Sequence, residues 1–412
     1  MRVLPDRRSP FLLYWTSATC SYLGDGVRVT ALPLLAASLS SSPSQVAAVS
    51  AAAGLPWLVF GLPAGVLVDR VARARLMTLL QTVRGVVGAL AVAGVLTGRI
   101  GIVALAVLAV LLGTCEVIFD LASHALLPEL VAAGRLQWAN GRLVSAEVTA
   151  FEFVGPLLGG VLFAVTAALP FAVDAVTFFG SAVLLAMILR AATPRATPQP
   201  FDTAREPVAR QMMEGLRWFA RSPLVRTLTL LTSSINLGAG GFYAVLVLFA
   251  RDELALGPTG YGVLIAVSAL GSLAAGSVAE KVDSGRARQL VCLWIAPVVT
   301  LCFGLVAAIP DRLVAGGAMV TFGLVVSLFN IVTVSLRQAI TPREMLGRVL
   351  SVHRVLCWGA LPVGAVIAGA VASGPGLRWA VAACTAAVVV SWLATLRPLL
   401  VSTAAEYAMK AP

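Results

Sequence analysis

The chain has 412 residues, of which 59% are hydrophobic and only 12% are charged. Its mean hydropathy of +0.93 exceeds that of soluble domains, and its apolar residues form blocks long enough to cross a lipid bilayer. This composition excludes a soluble enzyme or binding domain and indicates a polytopic helical membrane protein.

The apolar blocks predict twelve transmembrane helices, six in each half of the chain. The first six are Phe11–Leu35, Val46–Val68, Leu76–Leu96, Ile100–Leu121, Leu143–Val165 and Pro170–Leu189. The second six are Leu224–Phe249, Tyr261–Val278, Leu290–Ile309, Val314–Leu336, Val349–Ala372 and Leu377–Leu396. As a helix, each block can cross about 30 Å of hydrocarbon. The predicted fold class is all-α integral membrane, with two six-helix bundles.

The longest polar stretch divides these spans into two equal sets. We predict an N-terminal six-helix bundle at residues 1–190, a linker at 191–223, a C-terminal six-helix bundle at 224–400 and a cytoplasmic tail at 401–412. Within the linker, residues 208–220 carry apolar side chains on one helical face and charged side chains on the other. This pattern predicts an amphipathic helix at the cytoplasmic surface that ties the two halves together.

All but six of the 30 Lys and Arg residues fall on one side of the predicted spans or next to it. The positive-inside rule makes that side the cytoplasm, so we expect both termini to be cytoplasmic in a plasma or inner membrane protein. This bias accounts for the net charge of +11, which therefore does not indicate nucleic-acid binding. The six cysteines lie within predicted spans without close paired spacing, so neither a disulfide framework nor a zinc site is indicated. We expect no metal and no cofactor.

The short polar segment GVLVDRVARAR follows the second apolar block. It fits the pattern Gly-x-Leu-x-Asp-Arg-x-Gly-Arg-[Lys/Arg] at Gly65, Leu67, Asp69, Arg70 and Arg73, and Ala72 replaces the second glycine. This segment resembles the signature loop between the second and third helices of the major facilitator superfamily. The resemblance implies a gating loop in which an arginine meets an acid of the fourth helix, and we expect Asp120 to be the partner of Arg73.

An internal repeat points to the same superfamily. Gly141, Arg142, Ser145 and Pro156 recur at the equivalent place in the second half as Gly347, Arg348, Ser351 and Pro362. Parallel repeats of six spans are typical of this fold. The strings GDGVRVTALPLL, GPLLGG and TPREMLGRVLSV resemble the branch that contains the enterobactin exporter and the macrolide-efflux proteins. That resemblance implies export of amphipathic small molecules.

The string GPLLGG comprises Gly155, Pro156, Gly159 and Gly160, and it resembles the end of the antiporter motif of the fifth helix. Its glycines allow close helix approach, and its proline removes a backbone hydrogen bond and so favours a bend. Phe151 replaces the upstream glycine of the full motif. The motif therefore has two interpretations, a bend used in transport or ordinary packing of small residues.

Charged residues inside predicted spans are costly unless they are paired or hydrated, so they are the main candidates for the mechanism. Asp25 and Arg28 are three residues apart on the first span and either form a local ion pair or leave Asp25 to carry a proton. Glu116 lies one turn from Asp120 on the fourth span, and like charges at this spacing make Glu116 a further candidate for proton coupling. Arg84 on the third span either supplies positive charge to these acids or extends to the cytoplasmic surface.

Glu152 is the strongest single candidate for proton coupling, because it lies deep in the fifth span beside GPLLGG. Asp174 is expected near the outer end of the sixth span, largely in contact with water. A central cavity between the two halves has polar and aromatic candidates at Tyr22, Asn236, Tyr243, Asn330 and Trp358, although most aromatic residues in such spans face lipid or pack.

The sequence thus predicts a secondary active exporter that works by proton antiport and alternating access. Its expected partners are a small-molecule substrate, protons and the lipid bilayer, and we expect it to act as a monomer. No nucleotide-binding P-loop occurs in the chain, so ATP-driven export within it is not expected. Two alternatives stay open: an importer or facilitator on the same fold, and a membrane sensor or assembly protein that does not transport.

Overall fold

The computed structural model describes residues 10–61, 71–191, 208–282 and 285–408, together with Ala64 and Val68. The helices of the first half are α1 Pro10–Leu39, α2 Pro43–Phe60, α3 Arg73–Leu96, α4 Ile102–Leu130, α5 Leu136–Val165 and α6 Ala168–Ala191. Those of the second half are α7 Pro223–Asp252, α8 Pro258–Ala279, α9 Gly285–Ala308, α10 Arg312–Ile340, α11 Arg343–Trp358 with Ala360–Ser373, and α12 Leu377–Ala408. The two segments of α11 meet at Gly359. Between the halves lies the linker helix, Val208–Arg221.

The helices α2 to α12 are long and apolar enough to cross a membrane. Helix α1 is also long enough, with 30 residues, and it carries Asp25 and Arg28 near its middle. Helices suit a bilayer because each satisfies its own backbone hydrogen bonds in a solvent that offers none. The twelve helices thus form an all-α integral membrane fold, as the sequence predicts.

Helix ends follow local sequence. Proline begins α2, α7 and α8, where its missing N–H is not needed. Asp311 caps α10, accepting hydrogen bonds from the backbone N–H groups of Leu313 at 2.8 Å and Val314 at 3.0 Å. Gly98 has a φ of +64° in the short turn between α3 and α4, a conformation that favours glycine.

The helix pairs that pack together repeat from one half to the other. In the first half, α1 packs against α5 and α6, α2 against α4, and α3 against α4 and α6. In the second half, α7 packs against α11 and α12, α8 against α10, and α9 against α10 and α12. Adding six to each helix number of the first set gives the second set. The chain is therefore built from two six-helix bundles of equivalent arrangement, as expected for a parallel repeat.

The two bundles meet mainly through α2 with α11 and α5 with α8, which are equivalent pairs. Gly54 of α2 faces Pro362 of α11, and a Cβ atom built on Gly54 would lie 3.1 Å from the Pro362 Cδ atom. Gly262 of α8 faces Pro156 of α5, and a Cβ built there would lie 2.5 Å from the Pro156 carbonyl oxygen. The repeated prolines therefore lie at the interface between the bundles.

Several helices extend beyond the spans expected from hydropathy. Helix α4 continues nine residues past Leu121 to Leu130, and α12 continues past residue 400 to Ala408, into the predicted tail. The linker helix lies within the predicted linker, and it packs against α7 and α11 of the C-terminal bundle. The contacts found for the described residues are thus mainly with the C-terminal bundle, and the tie between both halves stays a prediction.

Candidate functional site

Five charged side chains from four helices of the N-terminal bundle come together inside the protein. They are Asp25 and Arg28 of α1, Arg84 of α3, Glu116 of α4 and Asp174 of α6. We call this group the charge cluster. Two arginines face three carboxyl groups, so the formal charge is −1 when every member is ionised.

Asp25 is the centre of the charge cluster. Its Oδ1 atom accepts a hydrogen bond from Arg28 Nη2 at 2.6 Å and a second, very short one from Arg84 Nη2. The local pair suggested by the spacing of Asp25 and Arg28 is therefore present, and Arg84 joins it from a neighbouring helix. Arg84 is fully buried, so it lies in the cluster and does not extend to the membrane surface.

The other two acids differ in their surroundings. Glu116 accepts a hydrogen bond from Arg28 Nη2 at 2.7 Å, and its side chain is 36% exposed. Asp174 is 0% exposed, and neither of its carboxyl oxygens has a hydrogen-bond partner among the described residues. Its closest cation is Arg28, with 4.0 Å between Nε and Oδ2. The expectation that Asp174 is largely solvated was wrong, because α6 turns this side chain into the bundle.

A shell of neutral groups surrounds Arg84. Its Nη1 atom donates to Ser21 Oγ and to Gln81 Oε1, each at 3.3 Å, and its guanidinium carbon lies 3.9 Å from the centre of the Phe178 ring. Gln81 in turn donates to Ser181 Oγ at 2.9 Å. Such hydrogen bonds and cation–π contacts offset part of the cost of removing an arginine from water.

Helix α5 changes its winding beside the cluster. Residues Val148–Val154 form a π-helix, and the backbone N–H of Gly155 bonds to the carbonyl of Ala150, five residues earlier. Pro156 follows directly and cannot donate a backbone hydrogen bond, which favours this irregularity. π-Helical turns are rare and are found frequently at functional sites. This irregular turn lies just before GPLLGG, whose own residues are α-helical, so the predicted bend at the motif stays a prediction.

The glycines of GPLLGG hold α5 against two other helices. Cβ atoms built on Gly155 and Gly159 would lie 2.6 Å from Gly26 Cα and from the Val27 carbonyl oxygen of α1. A Cβ built on Gly160 would lie 2.5 Å from the Pro258 carbonyl oxygen, at the start of α8. The motif thus packs against α1 of its own bundle and α8 of the other bundle, as the packing interpretation expects, and a bend used in transport stays a prediction.

Glu152 lies within the π-helix, half-buried, at the junction of the two bundles. Its carboxyl group is close to the hydroxyl of Ser272 on α8, and Tyr243 of α7 is nearby. Ser272 also accepts a hydrogen bond from Ser327 of α10 at 3.0 Å. Glu152 is therefore separate from the charge cluster and faces the C-terminal bundle.

The predicted gating pair is different in the structure. Arg73 Nη1 forms a short ion pair with Glu129 and contacts the Ala125 carbonyl at 3.4 Å, so Asp120 was the wrong partner. Because α4 continues to Leu130, its end and not Asp120 lies beside Arg73. Gly65, Leu67, Asp69 and Arg70 of the gating loop lie outside the described residues.

Asp120 instead connects the two bundles. Its carboxyl oxygens lie 3.6 Å from Arg354 Nη1 of α11 and 3.4 Å from His124 Nε2, one turn along α4. Asp120 and Arg354 are each 37% exposed. Near this pair, the rings of Trp57 and Trp358 stack across the interface with centroids 5.1 Å apart. We call Asp120 and Arg354 the bridging pair.

The predicted cavity residues have mixed environments. Tyr22 is mostly buried, Asn236 donates to the Cys357 carbonyl at 2.9 Å, and Tyr243 packs edge-on against Phe242 and Phe322. Asn330 is exposed, and Trp358 is stacked on Trp57. Of these five, Tyr243 and Trp358 lie at the contact between the bundles, near Glu152 and Trp57 respectively.

A second polar group in the C-terminal bundle was not predicted as a unit. Arg337 of α10 is buried and contacts the imidazole of His353 on α11, whose Nδ1 atom is 3.1 Å from Thr229 Oγ1. The Sγ atom of Cys357 lies 3.4 Å from the same nitrogen. Among the described residues, no group of three or more His, Cys, Asp or Glu side chains is placed to hold a metal ion.

Twelve helices in two equivalent six-helix bundles, with buried charged side chains and with a π-helix at the interface between the bundles, have the architecture of the major facilitator fold. The model of the transmembrane secretion effector family matches residues 3–411. The chain belongs to this family of major facilitator transporters.

Relatives and solved structures agree with this assignment. The chain is 30% identical over 394 residues to the multidrug efflux pump Tap of Mycolicibacterium fortuitum, covering 90% of this chain and 91% of that pump. It is 27% identical to Tap of Mycobacterium tuberculosis H37Rv, covering 95% and 94%.

Among solved structures, a bacterial homologue of the human lysosomal transporter Spinster, in an inward-facing state, has a TM-score of 0.74 at 14% identity. The match covers 97% of this chain and 98% of that one. A bacterial homologue of the iron transporter ferroportin, also inward-facing, has a TM-score of 0.73 at 18% identity, covering 97% and 100%. These likenesses establish the fold.

Proposed function

We propose that this protein is a secondary active exporter that moves amphipathic small molecules out of the cell in exchange for protons. Membership of a transporter family and similarity to multidrug efflux pumps over nine tenths of the chain support export. The observation that carries the proton part of the proposal is the charge cluster, which is buried between α1, α3, α4 and α6.

Charge balance explains why the cluster suits a proton. Three carboxyl groups against two arginines leave one negative charge, so binding a single proton makes the group neutral. A buried group with uncompensated charge is costly, and its neutral form is the easier one to move through a bilayer. Glu116 is the member open to the surroundings, with a 36% exposed side chain, so it is our proposed entry point for the proton.

Asp174 is our proposed final holder of the proton, because its two oxygens make no hydrogen bond with described residues. Asp25, by contrast, is held by both arginines. This assignment differs from the sequence-based preference for Glu152. We propose that Glu152, beside Ser272 and Tyr243 at the junction of the bundles, faces the substrate instead.

Alternating access requires contacts between the bundles that open in turn. On the side of the chain termini, the bridging pair of Asp120 and Arg354 provides one such contact. At the opposite end, Arg251 of α7 donates to the Ala37 carbonyl of α1 at 3.0 Å. We propose that the bridging pair opens when substrate enters from the cytoplasm and that the Arg251 contact opens when substrate leaves.

The orientation in this proposal follows the distribution of basic residues. Most Lys and Arg residues flank the ends of the helices on the side of the termini, which supports a cytoplasmic location of that side. Arg99 and Arg312, in contrast, follow α3 and begin α10 at the opposite end.

Purified protein in proteoliposomes provides the test. Vesicles loaded with a panel of fluorescent amphipathic dyes are given a pH gradient, and dye movement is followed with and without a protonophore. We expect uphill dye transport that the protonophore abolishes in the wild type. Asp174→Asn should lose uphill transport and keep downhill dye exchange, because the amide fills the same space but binds no proton.

Two results would contradict the proposal. Dye transport that is indifferent to the pH gradient in the wild type would exclude proton antiport. Full uphill transport by Asp174→Asn would remove this residue from the proton pathway. Arg99→Gln serves as the matched control, since Arg99 is exposed and lies outside the cluster.

A further inference from the structure

The linker helix has three faces with different surroundings. One face is docked: Phe219 packs with Val225 and Val349, and a Cβ built on Gly215 would lie 3.0 Å from the Arg348 Cβ atom. Glu214 forms an ion pair with Arg348 of α11 at the edge of this face. The docked face therefore fixes the helix to the first part of α11.

The second face is apolar and uncovered. Met213 is 47% exposed and Leu216 is 46% exposed, and Ala220 continues the same stripe one turn further along. The third face lies next to this stripe and is basic. It carries Arg217 and Arg221, one turn apart and both exposed, and neither forms an ion pair with a described residue.

The position of the linker helix in the chain indicates which region of the bilayer lies against the apolar and basic faces. A single residue, Ser222, separates Arg221 from Pro223, where the membrane-crossing helix α7 begins. The linker helix is therefore held at the level where α7 enters the bilayer. An apolar stripe beside an arginine stripe at this level matches the boundary between acyl chains and headgroup phosphates.

We infer that the linker helix is a binding site for anionic phospholipid of the same leaflet. Met213 and Leu216 insert among the acyl chains, and Arg217 and Arg221 contact the headgroup phosphates. Charge complementarity selects anionic over zwitterionic lipid, because Glu214, the acid nearest to the arginines on this helix, is already paired with Arg348. Each arginine near an anionic surface contributes a factor of roughly five to binding.

The linker helix connects bound lipid to α11, which carries one residue of the bridging pair. Arg348, which holds Glu214, lies six residues before Arg354 on α11, and Arg354 belongs to the bridging pair. Lipid bound to the linker helix therefore acts on the helix that carries one side of this contact. This consequence rests on the proposed transport function, whereas lipid binding itself does not.

Hydrogen exchange of the full-length protein in nanodiscs tests the binding. The discs contain phosphatidylcholine alone or phosphatidylcholine with phosphatidylglycerol, and backbone exchange is measured by mass spectrometry for residues 208–221. In the wild type we expect exchange to slow by up to about 25-fold when phosphatidylglycerol is present, from two arginine contributions of roughly fivefold each. The Arg217→Gln/Arg221→Gln variant should lose this difference.

Two further variants separate charge from apolar burial. Arg190→Gln is the matched control, because Arg190 is exposed at the end of α6 and is not part of the linker helix; it should keep the wild-type response. Leu216→Ser should speed exchange in both lipid mixtures, because acyl burial does not depend on headgroup charge. Equal exchange of the wild type in both mixtures would overturn the inference.

Soluble anions distinguish a lipid site from a simple phosphate site. Glycerol phosphate added to phosphatidylcholine discs should leave exchange unchanged, and a slowing equal to that of phosphatidylglycerol would overturn the assignment to the bilayer. Dye transport in the same two lipid mixtures forms a separate arm. A lipid effect on exchange without any transport would contradict the proposed function and leave the lipid site intact.

Discussion

Replacing Arg84 with glutamine tests whether charge balance holds the charge cluster together. Arg84 is fully buried and contacts Asp25, Ser21 and Gln81. Removing its charge leaves three carboxyl groups with Arg28 alone, so the formal charge changes from −1 to −2. Removing one partner of a buried ion pair costs about 3–5 kcal/mol, and we expect Arg84→Gln to lower the free energy of unfolding by that amount.

A second substitution, at Asp25, allows the interaction energy between Asp25 and Arg84 to be measured. Asp25→Asn in the Arg84→Gln background returns the formal charge to −1 and keeps a hydrogen-bonding group beside Arg28. Groups in direct contact commonly show interaction energies of 0.5–3 kcal/mol in double-mutant cycles, and a buried pair belongs near the top of this range. We therefore expect the double variant to recover about 2–3 kcal/mol relative to the sum of the single losses.

The native cysteines supply the assay. Five of the six are buried and the sixth, Cys20, is half-buried, so a thiol-reactive dye reports unfolding in mixed micelles without added labels. Arg99→Gln is the control for loss of an exposed arginine, and it should change stability by less than about 0.5 kcal/mol. Additive losses in the double variant, or an Arg84→Gln variant as stable as Arg99→Gln, would refute the reasoning.

Three further substitutions address the interface between the bundles. Gly160→Leu should leave protein abundance near normal but reduce dye efflux at least about tenfold, because its side chain meets the backbone of α8 in a contact made for glycine; unchanged efflux would show that this contact does not matter. Reversing the charge of Asp120 or of Arg354 alone should lower the initial efflux rate by about fivefold at most, because an exposed ion pair is worth only ~1 kcal/mol. Exchanging both charges should restore the rate, and no restoration would contradict the bridging role. Glu152→Gln should weaken dye binding, measured by dye titration, while uphill efflux still responds to a pH gradient; loss of the gradient response alone would return proton coupling to Glu152.

The sequence was sufficient for the fold because membrane helices depend on local composition. Apolar blocks predicted twelve helices, and the repeat of Pro156 as Pro362 predicted two equivalent halves, which the packing of helix pairs shows. Helix ends were less accurate. Hydropathy ended the fourth span at Leu121 because the polar residues Ser123 and His124 follow it. The helix itself continues to Leu130.

The candidate site could be predicted only in part, because its members come from different helices. The pair of Asp25 and Arg28 was visible from spacing on one helix. Asp174 was not, because its depth depends on how α6 rotates against α1 and α3, and this rotation is set by small-residue contacts between helices. The pairing of Asp120 with Arg354 joins opposite halves of the chain, and no local pattern encodes such a contact.

The proposed transport function requires that proton binding at the charge cluster changes the contact between the bundles, and the position of the cluster on α1 suggests a path. Asp25 and Arg28 enclose Gly26 and Val27, which lie against Gly155 and Gly159 of α5. A change in how the arginines hold Asp25 therefore acts within one residue of the closest α1–α5 contact. From there, Gly160 contacts α8 of the other bundle. The π-helix of residues Val148–Val154 lies beside these contacts, and in the proposed mechanism it is the deformable turn through which α5 would shift against α8.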